Sequence, residues 1–408
     1  MEVSRAAGAP KKNPVMKSLV SIVRCASYDA EPLAGAVRRS LDLVGGLNSF
    51  LAPGMSVFVK INNLAPQAPP ERTVCTHPLF VREVLRVLLD HHVRPVVGDD
   101  VSFHPGDGFL TTGFRKVCEE LGVPLINLRE TGFVEVPLKG ELLKSVYIAR
   151  PVRDADVVVN LPKLKTHSFT AFTGAVKNMF GVIPYGLRLD FHRRFLRNDI
   201  FSRMLVDVWS AAPPRLTIMD AVVGMEGEGP SSGFPKNIGL VISGRDAVAV
   251  DAVASRVASI HPLSIFTTSV AHDRGLGVGD LRGIEVAGEK IQAVEVRDFK
   301  PSSRATGLFS RWLPSFVYAY VSGQLILTPE VIREKCTACL ECIKICPART
   351  IRDVGGKAWV NESGCIHCLC CNEVCIHRAI RLRHRPVGKL LRAGERLYKQ
   401  IKKRIRKI

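Results

Sequence analysis

Eight cysteines near the end of the chain fall into two groups that share one spacing. Each group follows C-x2-C-x2-C-x3-C, and the second begins 29 residues after the first. The groups are Cys336, Cys339, Cys342 and Cys346, followed by Cys365, Cys368, Cys371 and Cys375. Three thiolates at such short gaps wrap one cuboidal cluster from a single loop, and the fourth ligates the other cluster. The spacing therefore predicts two 4Fe–4S clusters, with Cys375 completing the first site and Cys346 the second.

Zinc is the alternative occupant of these cysteines. A structural zinc ion takes four ligands in two separated pairs, and two triplets with one added thiol each fit that arrangement badly. A segment of about fifty residues also buries too little apolar surface to fold securely, so bound metal would supply folding energy.

Three residues depart from the repeat or add to it. Ile376 stands where such motifs usually have proline, which alters a turn but no ligand. Cys370 is an extra thiol, either a spectator or a substitute ligand. His367 either donates a hydrogen bond to a cluster sulfur or faces solvent.

Away from the cysteines, apolar strand-like runs alternate with helical patterns. The strand-like runs are residues 55–61, 94–100, 154–162, 215–222 and 238–244. Apolar strands separated by helices indicate a mostly parallel sheet with flanking helices, which binds ligands beyond the carboxyl ends of its strands. The predicted fold class is α/β, with a small α+β ferredoxin-like module for the two clusters. The expected divisions are a disordered leader (1–17), an α/β domain (18–300), a linker (301–330), the ferredoxin-type domain (331–383) and a basic amphipathic tail (384–408).

The tail carries most of the net charge of +19, because thirteen Lys or Arg and one acid lie between Arg378 and Ile408. Its apolar residues share one helical face, a pattern typical of an interfacial helix on anionic lipid. An acidic protein or nucleic acid would also fit the charge, although nucleic acid is not an expected partner. A solvated helix packed on its own domain is the remaining alternative. Without a signal peptide or a membrane-spanning stretch in view, we expect a cytoplasmic protein that is peripheral at a membrane surface through this tail.

Residues 160–195 combine basic side chains, hydroxyls and glycines directly after a predicted strand. The polar side chains include Lys163, Lys165, Thr166, His167, Thr170, Thr173, Lys177 and Asn178. Such a composition suits a carboxylate or phosphate ligand, but a solvated loop has a similar composition. No Walker A or G-x-G-x-x-G pattern occurs there, so no standard nucleotide site is predicted.

Several stretches, together with the cysteine repeat, cover most of residues 55–380 and carry a family resemblance. They include VFVKINNLAP, THPLFVREVL, GDD, NLPKLKTHSFTAFTGAVKNMFGVIP and LTIMDAVVGMEGEGPSSGFPKNIGLVISGRDAVAVDAVA. With these stretches the sequence resembles the conserved proteins labelled domain of unknown function 362, many of which have a C-terminal ferredoxin module. The resemblance implies an α/β domain fused to iron–sulfur clusters, in proteins usually described as iron–sulfur oxidoreductases.

The resemblance favours a ligand pocket over a plain loop at residues 160–195. Its expected lining is Lys163, Lys165, His167, Lys177 and Asn178. Residues 224–233 would form a flexible acidic loop at a neighbouring strand end.

Two functions follow as expectations. In the first, an oxidoreductase receives electrons from a redox partner protein and passes them from the clusters to an anionic small molecule in the α/β domain. Lys163, Lys177 and Asn178 would bind this substrate or cofactor, and His167 or Lys165 would supply the proton that reduction requires. No flavin or nicotinamide motif is visible, so a further cofactor stays unidentified. In the second, the chain is a non-catalytic redox carrier or an assembly or binding protein, so whether it is an enzyme stays open.

Overall fold

The computed structural model describes residues 17–101, 106–302 and 327–384. The expected leader, the centre of the expected linker and the tail from residue 385 onward lie outside the described residues. The interfacial helix and its membrane contact therefore stay predictions. Within the described ranges, no helix is long and apolar enough to cross a membrane.

Sixteen strands occur in the described residues, and ten of them form one central sheet. The strands are β1 (Ser18–Arg24), β2 (Ser56–Lys60), β3 (Arg94–Asp99), β4 (Leu125–Asn127), β5 (Phe133–Pro137), β6 (Ser145–Ala149), β7 (Val157–Asn160), β8 (Lys163–His167), β9 (Ala171–Thr173), β10 (Leu216–Glu226), β11 (Phe234–Gly244), β12 (Ile284–Gly288), β13 (Leu327–Val331), β14 (Ile351–Asp353), β15 (Ala358–Val360) and β16 (Ile380–His384). The main order is β12-β1-β11-β10-β7-β2-β3-β4, with β8 paired to β10 and β9 paired to β8. Only β11 with its two neighbours, and β8 with β9, pair antiparallel, so the sheet is mostly parallel as predicted.

Twelve α-helices occur in the described residues, and those of the α/β domain connect its strands and cover the sheet. They are α1 (Ala30–Asp42), α2 (Pro78–Asp90), α3 (Phe114–Glu120), α4 (Arg150–Asp154), α5 (Ala175–Asn178), α6 (Tyr185–Arg194), α7 (Asn198–Ala211), α8 (Ala247–Val257), α9 (Phe266–Asp273), α10 (Ile291–Val294), α11 (Glu341–Lys344) and α12 (Cys370–Val374). Along β2, Val57 and Val59 join the apolar core under α1 and α2, whereas Phe58 joins the core under α7. Successive strand residues point to opposite faces, so helices pack on both sides of the sheet, which confirms the α/β fold class.

The carboxyl ends of three parallel strands meet at one edge of the sheet. Lys60, Asp99 and Asn160 are the last residues of β2, β3 and β7, and Lys60 lies in register with Asn160. β8 begins three residues after β7 ends and runs beside β10. The polar segment at residues 160–195 therefore starts at the same edge of the sheet as the ends of β2 and β3.

The C-terminal module is a small α+β unit. β13 pairs with β16 and β14 pairs with β15, both antiparallel, while α11 and α12 each begin one residue before the third cysteine of a group. β13 starts at Leu327, inside the segment expected to be a linker. Leu327 and Leu369 are buried in the same apolar core as α7. The module thus packs directly on the α/β domain.

Candidate functional site

Two cavities in the C-terminal module are each bordered by four of the eight repeated cysteines. The first is lined by Cys336, Cys339, Cys342 and Cys375. The second is lined by Cys346, Cys365, Cys368 and Cys371. Each set contains three thiols of one group and the last thiol of the other, which is the crossed grouping expected from the spacing. All twelve cysteines are described, and none forms a disulfide.

The backbone of the two cysteine loops has the same unusual shape at equivalent positions. Three pairs of residues, 29 positions apart, adopt the left-handed conformation that residues other than glycine rarely adopt. They are Ala338 and His367 (φ 58° and 53°), Leu340 and Leu369 (63° and 64°), and Arg349 and Arg378 (52° and 53°). A repeated strained conformation points to a shared constraint on both loops, such as wrapping a compact group.

Backbone N–H groups point at three of the cysteine sulfurs. Thr350 N lies 3.4 Å from Cys346 Sγ, and Ala379 N lies 3.3 Å from Cys375 Sγ. His367 N lies 3.4 Å from Cys365 Sγ, so this residue contributes its backbone N–H to a thiol. Hydrogen bonds of this kind stabilise thiolates and tune iron–sulfur clusters.

The donor set fits a cluster better than a single ion. In the described ranges, no three His, Cys, Asp or Glu side chains lie close enough to hold one metal ion. Four thiols of the repeat instead surround each cavity, with Cys370 as a fifth thiol beside the second, and thiolate is the ligand type of a 4Fe–4S cluster. The residues present therefore fit the predicted group.

A cleft of about 140 Å³ lies between the α/β domain and the module. Its α/β wall includes Lys60, Asn62, Asp99, Lys165, His167, Thr173, Lys177, Asn178, Tyr185, Arg188 and His192. Its module wall consists of Glu341, Ile345, Cys370, Glu373 and Val374. Four of the five residues expected to line a ligand pocket are thus brought together, and Lys163 is not among them.

Lys165 is a buried lysine held by neutral groups. Its Nζ donates to Asn62 Oδ1 at 2.9 Å and to the Val74 carbonyl at 2.6 Å. In the described part of the chain, no carboxylate lies within ion-pair distance of this nitrogen. Burial lowers the pKa of Lys165 to about 7, and the nearby charge of Lys177 acts in the same direction. Near neutral pH this amine can therefore both give and take a proton.

A chain of asparagine amides orients the partner of Lys165. Asn62 Nδ2 donates to Asn178 Oδ1 at 2.9 Å, which leaves Asn62 Oδ1 directed at Lys165. Asn178 Nδ2 in turn donates to Asn160 Oδ1 at 2.7 Å. Asn178 was expected to bind ligand directly, and it lines the cleft, but its amide also positions Asn62.

His167 joins the two walls of the cleft. Its Nδ1 accepts hydrogen bonds from the backbone N–H groups of Phe169 at 3.0 Å and Thr170 at 3.3 Å. These contacts place the proton of a neutral ring on Nε2, which lies 3.3 Å from Glu373 Oε1 of the module. His167 therefore lies where the module meets the α/β domain.

Lys177 brings a positive charge to the aromatic side of the cleft. Its Nζ lies 5.5 Å from the centre of the Phe180 ring and 5.9 Å from that of Phe201. Burial lowers the pKa of Lys177, while the Glu373 carboxylate opposes this shift. No ion pair within 4.0 Å forms at Lys177 among the residues that the structure describes, so its charge is available to an anion.

Lys163 has a different role from the one expected. Its Nζ lies 2.8 Å from Asp220 Oδ2 and 2.7 Å from the Tyr28 hydroxyl, and its side chain is 1% exposed. Lys60 is similar, because it pairs with Asp99 at 2.8 Å. The expectation that Lys163 binds ligand is not supported by this placement, since Asp220 already neutralises its charge and Lys163 does not line the cleft.

The short helix α5 is fixed by a buried carboxylate. Asp251 accepts hydrogen bonds from the N–H of Ala175 at 2.6 Å and from the next N–H at 3.1 Å. Burial raises the pKa of Asp251 to about 7. A Cβ at Gly174 would lie 2.0 Å from Asp251 Oδ1, so only glycine fits there. This contact aims Lys177 and Asn178 at the cleft.

The stretch expected to be a flexible acidic loop instead docks the module. β10 and β11 form a hairpin, and its turn contacts residues next to the last cysteine. Ser232 Oγ donates to the Cys375 carbonyl at 3.0 Å, and Arg378 Nη2 donates to the Gly233 carbonyl at 2.7 Å. The hairpin therefore holds the module wall of the cleft in place.

Sequence reasoning missed several residues of the cleft. Arg188, on α6, pairs with Asp100, and Lys60 pairs with Asp99. His192 lies one turn further along α6, where no motif marks it. In the sequence, only Asp99 and Asp100 at the end of β3 pointed to these cations. Two carboxylates at a buried strand end require cations nearby.

Comparison with known proteins places the chain in a family. A thylakoid-associated protein of Synechocystis sp. is 30% identical over 263 residues, which are 64% of this chain and 81% of that protein. The lactate racemase apoprotein of Thermoanaerobacterium thermosaccharolyticum is 17% identical, with a TM-score of 0.37 over 57% of this chain and 54% of that one. A Thermotoga maritima protein of solved structure is 13% identical, with a TM-score of 0.35 over 55% of this chain and 57% of that one.

The matched family model covers residues 57–256 and is described as domain of unknown function (DUF362). This range contains every cleft residue that the α/β domain contributes, and it ends before the cysteine module. Together with the Synechocystis relative, the match shows that the chain belongs to the DUF362 family.

Proposed function

We propose that the protein is an iron–sulfur oxidoreductase that passes electrons between two 4Fe–4S clusters and a small anionic substrate or cofactor in the cleft. The supporting observation is a shared wall. Cys370 borders both the cleft and the second cysteine cavity, and Glu341 borders both the cleft and the first. Held by the eight cysteines, the clusters would supply single electrons.

The anion would be bound by the two lysines of the cleft that have no carboxylate partner among the described residues. Lys60 and Arg188 each pair with an aspartate, so their charges are largely neutralised. Lys177 and Lys165 are not neutralised in this way, and both line the cleft. A buried, weakly solvated cation strengthens its interaction with a bound carboxylate or phosphate.

Lys165 is the proposed proton donor. Its pKa of about 7 lies near neutral pH, which suits general acid catalysis. His167 is the proposed positioning residue, since its Nδ1 is occupied by backbone N–H groups and its Nε2 lies against Glu373. The module wall would exclude water from the bound substrate.

The test is substrate-dependent reoxidation of the reduced, cluster-loaded full chain, with small carboxylates and phosphates as probes. We expect a Lys177→Met variant to reoxidise about tenfold more slowly or worse, since a hydrogen bond to a charged group contributes about 1.5–3 kcal/mol. The rate in the parent protein should fall as pH rises through about 7, because Lys165 then loses its proton.

Lys116→Met is the matched control, because this lysine side chain is 81% exposed and does not line the cleft. Equal reoxidation rates for parent and Lys177→Met would move the anion site elsewhere. Probes that bind the parent without accelerating reoxidation would instead favour the non-catalytic carrier or binding protein.

A further inference from the structure

Two polar atoms in the cleft have no hydrogen-bond partner among the residues that the structure describes. They are Thr173 Oγ1 and His192 Nδ1, on side chains that are 4% and 6% exposed. Buried polar groups almost always have a hydrogen-bond partner, because leaving one unpaired destabilises the folded protein. Thr173 and His192 both line this cleft, so a molecule bound there is a candidate partner for both atoms.

Thr173 lies beside the proposed proton donor. In the antiparallel pair of β8 and β9, Thr173 is directly opposite Lys165. Side chains at directly opposite positions point to the same face of the sheet. A group that accepts the Lys165 proton would therefore also lie near the Thr173 hydroxyl.

His192 presents a neutral ring to the cleft. Its ring lies 4.6 Å from Phe201 and 5.9 Å from Phe180, measured between ring centres, so packing fixes its orientation. Burial lowers the pKa of His192 to about 3, and the charges of Lys177 and Arg188 act in the same direction. The imidazole stays neutral at physiological pH, so it suits an uncharged polar group rather than a second anion.

We infer that Thr173 and His192 bind an uncharged oxygen of the substrate, which is therefore a small organic anion that also carries a carbonyl or hydroxyl group. The inference rests on the proposed function for the anion site at Lys177. The cleft volume of about 140 Å³ fits a small molecule.

The experiment measures binding of matched probes to the cluster-loaded full chain by calorimetry. Pentanoate is compared with pentanoates that carry a carbonyl or hydroxyl at C2 or C4. We expect at least one oxygenated probe to bind about tenfold more tightly than pentanoate, because two added hydrogen bonds stabilise its complex.

Four variants test whether Thr173 and His192 cause the preference for the oxygenated probes. Thr173→Val and His192→Phe keep shape but remove the polar atoms, and each should reduce the preference, measured as the ratio of the two affinities, severalfold. Thr173→Ser and His192→Gln keep a hydrogen-bonding atom and should retain most of the preference.

Three outcomes overturn the inference, and they can be distinguished from one another. If pentanoate binds the parent and no oxygenated probe binds more tightly, the anion site stands and this inference is wrong. The same holds if the preference persists in Thr173→Val and His192→Phe. If no probe binds the parent at all, the anion site of the proposed function fails and this inference fails with it.

Discussion

Replacing Cys346 with alanine should remove the cluster of the second cavity and leave the first in place. Cys346 belongs to the first group by sequence, yet it borders the cavity of Cys365, Cys368 and Cys371. Loss of one of four thiolates leaves an incomplete site. We expect iron content to fall from about eight to about four atoms per chain, with the remaining paramagnetic signal belonging to the first site.

Cys370→Ala is the matched control for this variant. The two cysteine groups are 29 residues apart, so the position of Cys370 in the second group corresponds to Glu341 in the first. The first group therefore has no cysteine at this position. We therefore expect Cys370→Ala to keep both clusters. Loss of the first cluster in Cys346→Ala would contradict the crossed grouping, and loss of iron in Cys370→Ala would make Cys370 a ligand.

Replacing Lys163 with methionine should destabilise the α/β domain by about 3–5 kcal/mol, the usual cost of breaking a buried ion pair from one side. Asp220 is fully buried, and Lys163 is its only ion-pair partner within 4.0 Å among the described residues. The Tyr28 hydroxyl donates to Asp220 at 2.8 Å, and the His77 N–H does so at 2.9 Å, but neither neutralises the carboxylate.

The measurement is urea unfolding followed by a signal of the α/β domain, with Lys116→Met as the exposed control. Lys163→Met should shift the unfolding midpoint far below that of the control. A change under about 1 kcal/mol would be in the range of a surface ion pair and would contradict the assigned role of Lys163.

The sequence was most informative where the chemistry is local. The cysteine spacing lies within 40 residues, and the structure groups the thiols in the expected crossed sets. The apolar runs predicted β2, β3 and β7 to within a few residues, because each is a short buried strand bounded by turns. Lys165, His167 and Lys177 lie close together because β8, β9 and α5 follow one another directly.

The sequence was least informative where a partner lies far along the chain. Lys163 and Lys165 occur in one short motif, but Asp220, 57 residues away, neutralises the first and not the second. His192 has no local motif, and its surroundings arise only when α6, α7 and the residues after α5 pack together. The module wall of the cleft depends on contacts such as that of Ser232 with Cys375, which span 143 residues.

The central claim is tested most directly by counting metal and sulfide in the anaerobically reconstituted full chain. Two crossed sites of four cysteines predict about eight iron atoms and eight acid-labile sulfides per chain, with little zinc. Stoichiometric zinc without sulfide would contradict the iron–sulfur assignment, and the electron-transfer proposal for the cleft would then fail with it.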